Sequence, residues 1–305
     1  MIIRSIVGAD RPALEAEVDR GRLAGEFRAS SDPEAKFFMR SFEFAPSPVA
    51  GAFGEDGDLL GFISPEFKVV VVRPKDRRTG IGRSLVEAGL AIERERGRPN
   101  LLVGVLPADA DGHAFLRATG FGFHSTLWDL ELPDATTIDP PAWPAGYAAR
   151  PFDRTRDTRA WAELFNVAFA DHATPLQIPD DAIDSVPDDP TIEDADTLLV
   201  EETGNGELVG FCATTPERID GAVGPDAEIW TIGVRPDRQG RGIGRQLLRW
   251  GVRRLREIGA QHVFLSVNGR NEGALGLYLS EGFVRSQTRD RWARPVETGF
   301  ESEIR

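Results

Sequence analysis

The chain repeats itself, and that repeat constrains its fold more than any other feature. VRPKDRRTGIGRSL (72–85) returns as VRPDRQGRGIGRQL (234–247), at a constant offset of 162 residues. The same offset carries Gly120-Phe121 onto Gly282-Phe283, 38 residues past the last motif glycine in each copy. Upstream, DLLGF (58–62) resembles ELVGF (207–211) at a shorter offset, so the second copy holds insertions before its glycine motif. An ordered series of this kind predicts two copies of one fold, each of ordinary domain size. PDATTIDPPAWPAG (133–146) carries four prolines and no periodic pattern, so it reads as a linker. The expected division is therefore 1–135, a linker at 136–146, and 147–305.

Within the second copy, the patterning predicts a strand at 147–150 and a helix at 157–169. A hairpin of 198–202 and 208–214 follows, around the TGNGE turn. A strand at 228–234, a helix at 242–258, a strand at 263–267 and a helix at 272–280 complete it. The first copy repeats the series at 69–72, 81–96, 101–105 and 113–118. The fold class is α/β, with a central mixed sheet flanked by helices in each copy.

Charge and composition exclude several classes. A formal net charge of −13 argues against nucleic-acid binding, which needs a basic face. It suits a cationic small substrate such as an amine, and equally suits plain solubility. No apolar run reaches the length of a bilayer span, and the first residues lack the plan of a signal peptide. The single cysteine, Cys212, permits no intramolecular disulfide and has no histidine placed to activate it, so it reads as a core thiol. These features together read as a cytoplasmic globular protein. No pair among His113, His124, His172 and His262 has metal-ligand spacing, and no metal is expected.

QGRGIG (239–244) follows a strand and opens a helix. Glycines allow tight turns and close ligand approach, and a helix N-terminus presents unpaired N–H groups with a partial positive charge. Together they form an anion cradle suited to a pyrophosphate. Neither G-K-[ST] nor GxGxxG is present. Arg241 and Arg245 flank the motif as phosphate partners or as a solvated helix face; the spacing leaves both open. Glu228 begins the strand before the motif and is a candidate general base, or an ordinary surface carboxylate. Simple strand alternation groups it with Trp230, Ile232 and Val234 on one face.

Val-x-Pro followed by Q/R-x-x-G-x-G/A resembles the acetyl-CoA signature of the GNAT N-acetyltransferase superfamily. NEGALGLYLSEGF (271–283) resembles that superfamily's second signature, Asn-x-x-Ala-x-x-x-Tyr-x-x-x-Gly-Phe. The resemblance implies acetyl-CoA as co-substrate, with Gln239, Gly240, Arg241, Gly242, Gly244 and Arg245 at its pyrophosphate. It implies a splay between strands 228–234 and 263–267 for the pantetheine arm, and a backbone amide near Val234 at the thioester carbonyl. Asn271 is implied as a cofactor contact, Glu228 as general base and Tyr278 as general acid. The layout of the second copy is also similar to the mycothiol synthase family of tandem GNAT proteins, although the acceptor-binding segments near 170–195 and 214–227 do not map. His172 and Trp230 are candidates for touching substrate.

The offset maps Tyr278 to Leu116, Asn271 to Asp109 and Glu228 to Glu66, so the first copy keeps a cradle without the acid. Arg77, Gly80 and Gly82 mark a possible second CoA site. The expected activity is direct acetyl transfer to the amine of a small molecule, an amino-sugar or cysteinyl conjugate being one candidate. A protein N-terminal or lysine acetyltransferase, and a non-catalytic acyl-CoA sensor, are the alternatives. Oligomeric state is left open.

Overall fold

A computed structural model describes residues 1–23, 48–170, 178, 183, 193–219 and 222–297. The fold is α/β, as the repeat and its patterning predict, and the chain forms two compact units. Unit 1 comprises residues 1–127 and 288–305, and unit 2 comprises residues 128–287. The units therefore follow a different division from the linear 1–135, 136–146 and 147–305. Each takes in part of the strand that closes the other repeat.

In unit 1, β1 (Ile2–Ser5), β2 (Ala50–Phe53), β3 (Leu59–Ser64) and β4 (Val69–Val72) form an antiparallel sheet in that order. Helix α1 (Arg11–Leu23) precedes β2, and α2 (Ile81–Glu95) begins at Gly80, whose φ of 92° suits glycine. Strand β5 (Asn100–Val105) and helix α3 (Ala110–Ala118) follow. The partner of β5 comes from the far end of the chain: Asp290–Pro295 pairs antiparallel with it, and Trp292 joins the unit 1 core. Deep burial of Ile63, Leu85, Val86 and Leu101 fills that core between sheet and α2.

Unit 2 begins inside β6 (Gly122–Leu132), the strand that ends the first repeat, whose 128–132 portion lies beside β11 (His262–Asn268). From β11 the order runs β10 (Ala222–Val234), β9 (Leu208–Ile219), β8 (Thr197–Glu202) and β7 (Tyr147–Pro151). β10 pairs parallel with β11, and every other pair from β10 to β7 is antiparallel. The β9–β10 hairpin is longer than the expected strands at 208–214 and 228–234. Helix α4 (Arg154–Ala168) starts three residues before the expected 157, because Asp153 caps it by accepting from Thr155 N.

Two cores lie on opposite faces of this sheet. On one face, α5 (Ile243–Glu257) buries Ile243, Leu247, Leu248, Val252 and Leu255, with α6 (Glu272–Ser280) adding Leu275. On the other, Trp161 and Phe165 of α4 pack with Leu199 and Phe211. A Cβ on Gly251 would meet Cys212 Sγ at 3.0 Å, so α5 sits very close to β9. Cys212 is fully buried, and burial pushes its thiol up, as suits a core residue.

The proline-rich segment is a strap on unit 2. Arg256 Nη1 donates to Thr136 O at 2.6 Å, Arg249 pairs with Asp139 at 3.2 Å, and Ala142 N donates to Gln246 Oε1 at 2.7 Å. Gln246, Arg249 and Arg256 share one stripe of α5, three and seven residues apart. Ile138 is buried in the α5 core and Trp143 packs against it. The absence of periodicity is real, but side-chain capture by α5 replaces it.

Candidate functional site

The parallel register between β10 and β11 runs through Asp226↔His262, Ala227↔Val263 and Glu228↔Phe264, and stops there. β10 continues to Val234 against β9 alone. Beyond Glu228 and Phe264 the two strands part, and the β10 backbone groups pointing away from β9 line the resulting gap. This is the splay implied by the resemblance.

The register also corrects the simple alternation. β9 matches Glu228 with Thr215 and Ile229 with Thr214, then resumes at Thr231 with Ala213. Trp230 is the extra residue of a bulge, 43% exposed. After it, Ile232 and Val234 pack on the α5 face, as Ile229 does. Glu228 lies on the opposite, α4 face, so it does not share a face with Ile232 and Val234. An inserted residue reverses every side chain that follows it.

The cradle follows β10. A short 3₁₀ turn at Pro236–Arg238 leads to Gly240 and Gly242, at φ of 74° and 85°. Gly242 caps α5 without any side-chain hydrogen bond, which leaves the first-turn N–H groups unclaimed by a cap. Gly244 differs from both: it lies inside the helix, and a Cβ there would make only ordinary contacts, 3.7 Å to Leu277 and 3.9 Å to Val234. Neither backbone conformation nor crowding requires glycine at 244, which fits a surface kept low for a close ligand. These residues suit a diphosphate.

The flanking side chains divide. Gln239 Nε2 donates to Val234 O at 3.1 Å and ties the loop back to the strand. Arg241 is exposed at the cradle and donates to the Tyr147 hydroxyl at 2.9 Å. Arg245 pairs with Glu281, a buried carboxylate that Arg249 also holds at 2.7 Å. Those two guanidiniums keep the Glu281 carboxyl low despite its burial. Asn271 caps α6, its Oδ1 accepting from Ala274 N at 3.1 Å.

Tyr278 lies on α6, on the α5 face of the sheet, with its ring 6.2 Å from that of Phe283. Among the described residues its hydroxyl has no hydrogen-bond partner. Burial, and then the nearby Cys212 thiol, raise its pKa above the usual phenol range, so it stays protonated. Gly282 (φ 95°) ends the helix, and Phe283 N returns to Tyr278 O at 3.1 Å. The Gly-Phe pair of the repeat is thus a helix stop that fixes the tyrosine's turn. The two candidate catalytic side chains lie on opposite faces of the sheet, with the gap between β10 and β11 as the opening through it. His172 lies outside the described residues.

Unit 1 repeats the frame. Arg77 Nε donates to Val72 O at 3.0 Å, where unit 2 has Gln239 and Val234. Gly80 caps α2, and a Cβ on Gly82 would meet the Phe115 ring at 3.0 Å. Asp109 caps α3 through Gly112 N at 2.8 Å, so the exchange of Asn for Asp preserves the cap. Leu116 is buried where unit 2 has Tyr278. Glu66 is held by Arg96 at 2.7 Å, and its carboxyl is lowered despite burial. Gly104 N donates to Lys68 O at 2.7 Å, bridging β5 to the turn before β4.

The sequence offered no warning of the bulge at Trp230. It also missed Asp129, a fully buried carboxylate on β6 that accepts from Ser266 Oγ at 2.6 Å. LWDLEL holds two acids, Asp129 and Glu131, alternating with Trp128, Leu130 and Leu132, and that pattern does not mark Asp129 as the buried one. Among the described residues there is no group of metal-ligating side chains, and no helix is long and apolar enough to cross a membrane.

Comparison with known proteins bears on this geometry. Residues 156–283 match the family model described as the acetyltransferase (GNAT) family. A mycothiol acetyltransferase of Kytococcus sedentarius is 33% identical over 74% of this chain and 75% of its own length. One of Thermobispora bispora is 34% identical over 75% and 78%. Among solved structures, a GCN5-related N-acetyltransferase of Sphaerobacter thermophilus superimposes with a TM-score of 0.72 at 22% identity, over 98% of this chain and 96% of that one. A tandem GNAT protein of the clavulanic acid biosynthesis pathway gives 0.67 at 18% identity, over 98% and 99%.

Proposed function

The chain belongs to the GNAT family of acetyltransferases, and from that premise we propose that unit 2 transfers acetyl from acetyl-CoA directly to the amine of a small molecule. The observation that carries this reading is the gap opening beyond Glu228, with a carboxylate on one face of the sheet and a protonated phenol on the other. Acetyl-CoA supplies the activated thioester. The first-turn N–H groups of α5, with Gly240, Gly242 and Gly244, hold its diphosphate, and Arg241 stands at the rim. The unpaired edge of β10 up to Val234 offers backbone N–H groups to the thioester carbonyl.

Glu228 takes the proton that the amine must lose. At pH 7 a lysine-like amine costs about 4.6 kcal/mol to hold neutral, whereas an α-amine costs about 1 kcal/mol, so a positioned carboxylate matters most for the more basic acceptor. Tyr278 serves the departing sulfur. A phenol with a raised pKa is a weaker acid than the CoA thiol, near 8.5, so it donates a hydrogen bond to the sulfur as the C–S bond breaks. Gln239, Arg245 and Asn271 act by holding the cradle and the two helices in place.

The names of the relatives favour an acceptor of the mycothiol type, a cysteinyl or amino-sugar conjugate. Unit 1 turns nothing over in this reading, since Leu116 offers no proton and Glu66 is held by arginine. The test is acceptor screening with acetyl-CoA, read as thiol release and product mass, on the wild type, Glu228→Gln and Tyr278→Phe. Each substitution should lower kcat by roughly 10²–10⁴ with little change in the KM for acetyl-CoA. Loss in Glu228→Gln should also shrink as pH rises and the amine deprotonates unaided. Full activity in both variants would remove the assignment.

A further inference from the structure

Glu228 is one acceptor on the α4 face of the gap, and a second stands two residues along the neighbouring strand. Ala227 and Val263 both point into the α5 core, and so do Leu265 and Val267. Phe264 and Ser266 therefore point to the same face as Glu228. On β6, Leu130 and Leu132 fill the α5 core, which sends Asp129 to that face also. Ser266 is half-buried and sits where β11 has left β10. Its hydroxyl makes one hydrogen bond among the described residues, to Asp129 Oδ1 at 2.6 Å.

That bond fixes the polarity of the serine. Ser266 Oγ is the donor to Asp129 Oδ1, so the single hydroxyl proton is committed to that carboxylate. The remaining lone pairs of Oγ can then only accept from whatever enters the gap. A neutral primary amine has two N–H bonds and one lone pair. We propose that Ser266, oriented by Asp129, accepts one N–H of the acceptor while Glu228 takes the other, which aims the nitrogen lone pair at the thioester carbonyl. This arrangement uses both N–H bonds of the amine, so N-alkylation removes the contact that Ser266 makes. Ser266 touches substrate, whereas Asp129 is a positioning residue contributed by the strand that ends the first repeat.

This inference rests on the acetyl-transfer reading. The test compares a primary amine with its N-methyl analogue in the full chain, for wild type, Ser266→Ala, Ser266→Thr and Asp129→Asn. An unpaired polar contact of this kind is worth roughly tenfold to hundredfold. Ser266→Ala should lose that much in kcat/KM for the primary amine, keep the KM for acetyl-CoA, and discriminate less against the N-methyl analogue. Ser266→Thr retains the hydroxyl and should retain most of the rate. Asp129→Asn can donate to Oγ and reverse its polarity, so its loss should match that of Ser266→Ala and should not add to it in the double variant. Should Asp129→Asn fail to fold, the alanine and threonine variants decide alone. Wild-type kcat/KM and unchanged amine preference in Ser266→Ala would overturn the assignment of Ser266. A wild type that releases no CoA with any amine would instead overturn the acetyl-transfer reading.

Discussion

At the residue scale, the glycines of the second cradle have separable reasons. Gly240 and Gly242 adopt positive φ, where a side chain costs about 1–2 kcal/mol. Gly244 has no such need and no crowding neighbour. Gly244→Glu should therefore leave stability within about 1 kcal/mol, since an acid in a first helical turn favours the macrodipole. The same carboxylate faces the diphosphate, so the affinity for CoA should fall at least tenfold. Calorimetric titration beside thermal unfolding separates the two effects, and equal loss in both would show that glycine at 244 serves the fold. The cradle's glycines, Glu228 and Tyr278 were all legible in the sequence as candidates. Asp129 and Ser266 were not, because their significance lies in a contact between strands 137 positions apart.

At the scale of elements, two ionisable groups raise stability as pH rises, in separate pH windows. Asp157, buried at the start of α4, accepts from Arg150 at 2.6 Å, from Arg156 at 3.0 Å and from Asp153 N at 3.0 Å. These bonds overcome its desolvation and depress its pKa. The unfolded carboxyl titrates near 3.9, so its stabilisation is complete above that value and is lost as pH falls through the lower folded one. Asp157→Asn should cost about 2 kcal/mol at neutral pH by weakening its charge-assisted bonds to Arg150 and Arg156, and should flatten the acid limb of chemical unfolding. Lys68, at φ 59° in the turn before β4, acts with the same sign in the alkaline range. Burial first, and then Arg291, lower its amine to about 8. Between that pH and about 10.5 the unfolded chain holds a proton the folded one lacks, so unit 1 should gain up to about 3 kcal/mol as pH rises. Lys68→Met should abolish that rise, as urea unfolding at pH 7 and pH 10 would reveal.

At the scale of the whole molecule, the repeat and the compact units do not coincide. The last strand of the second repeat closes unit 1, through Asp290–Pro295 against β5, and the last strand of the first repeat contributes 128–132 to unit 2. A chain ending at Gln287 should strip β5 of its partner and remove Trp292 and Val296 from the unit 1 core. Loss of a buried tryptophan alone costs about 3–5 kcal/mol. Amide exchange should show unit 1 deprotected, while acetyl-CoA still protects α5 in unit 2. Retained protection of β5 would show that its pairing with β12 (Val284–Pro295) is dispensable. Cutting instead at residue 136, as the repeat suggests, would remove Asp129 from unit 2.

What the sequence determined by itself was local and periodic: two copies of one α/β fold, a helix opened by glycines, a helix stopped by Gly-Phe, and the residue types a transferase needs. Each depends on backbone conformation or spacing within one or two elements, which the order of residues carries directly. Tertiary structure alone decided the rest. Register past Trp230 set which face Glu228 occupies, because a bulge is fixed by the partner strand and leaves no periodic trace. Capture by Gln246, Arg249 and Arg256 turned the proline-rich linker into a strap. Strand exchange, which pairs residues from opposite ends of the chain, decided where each unit begins.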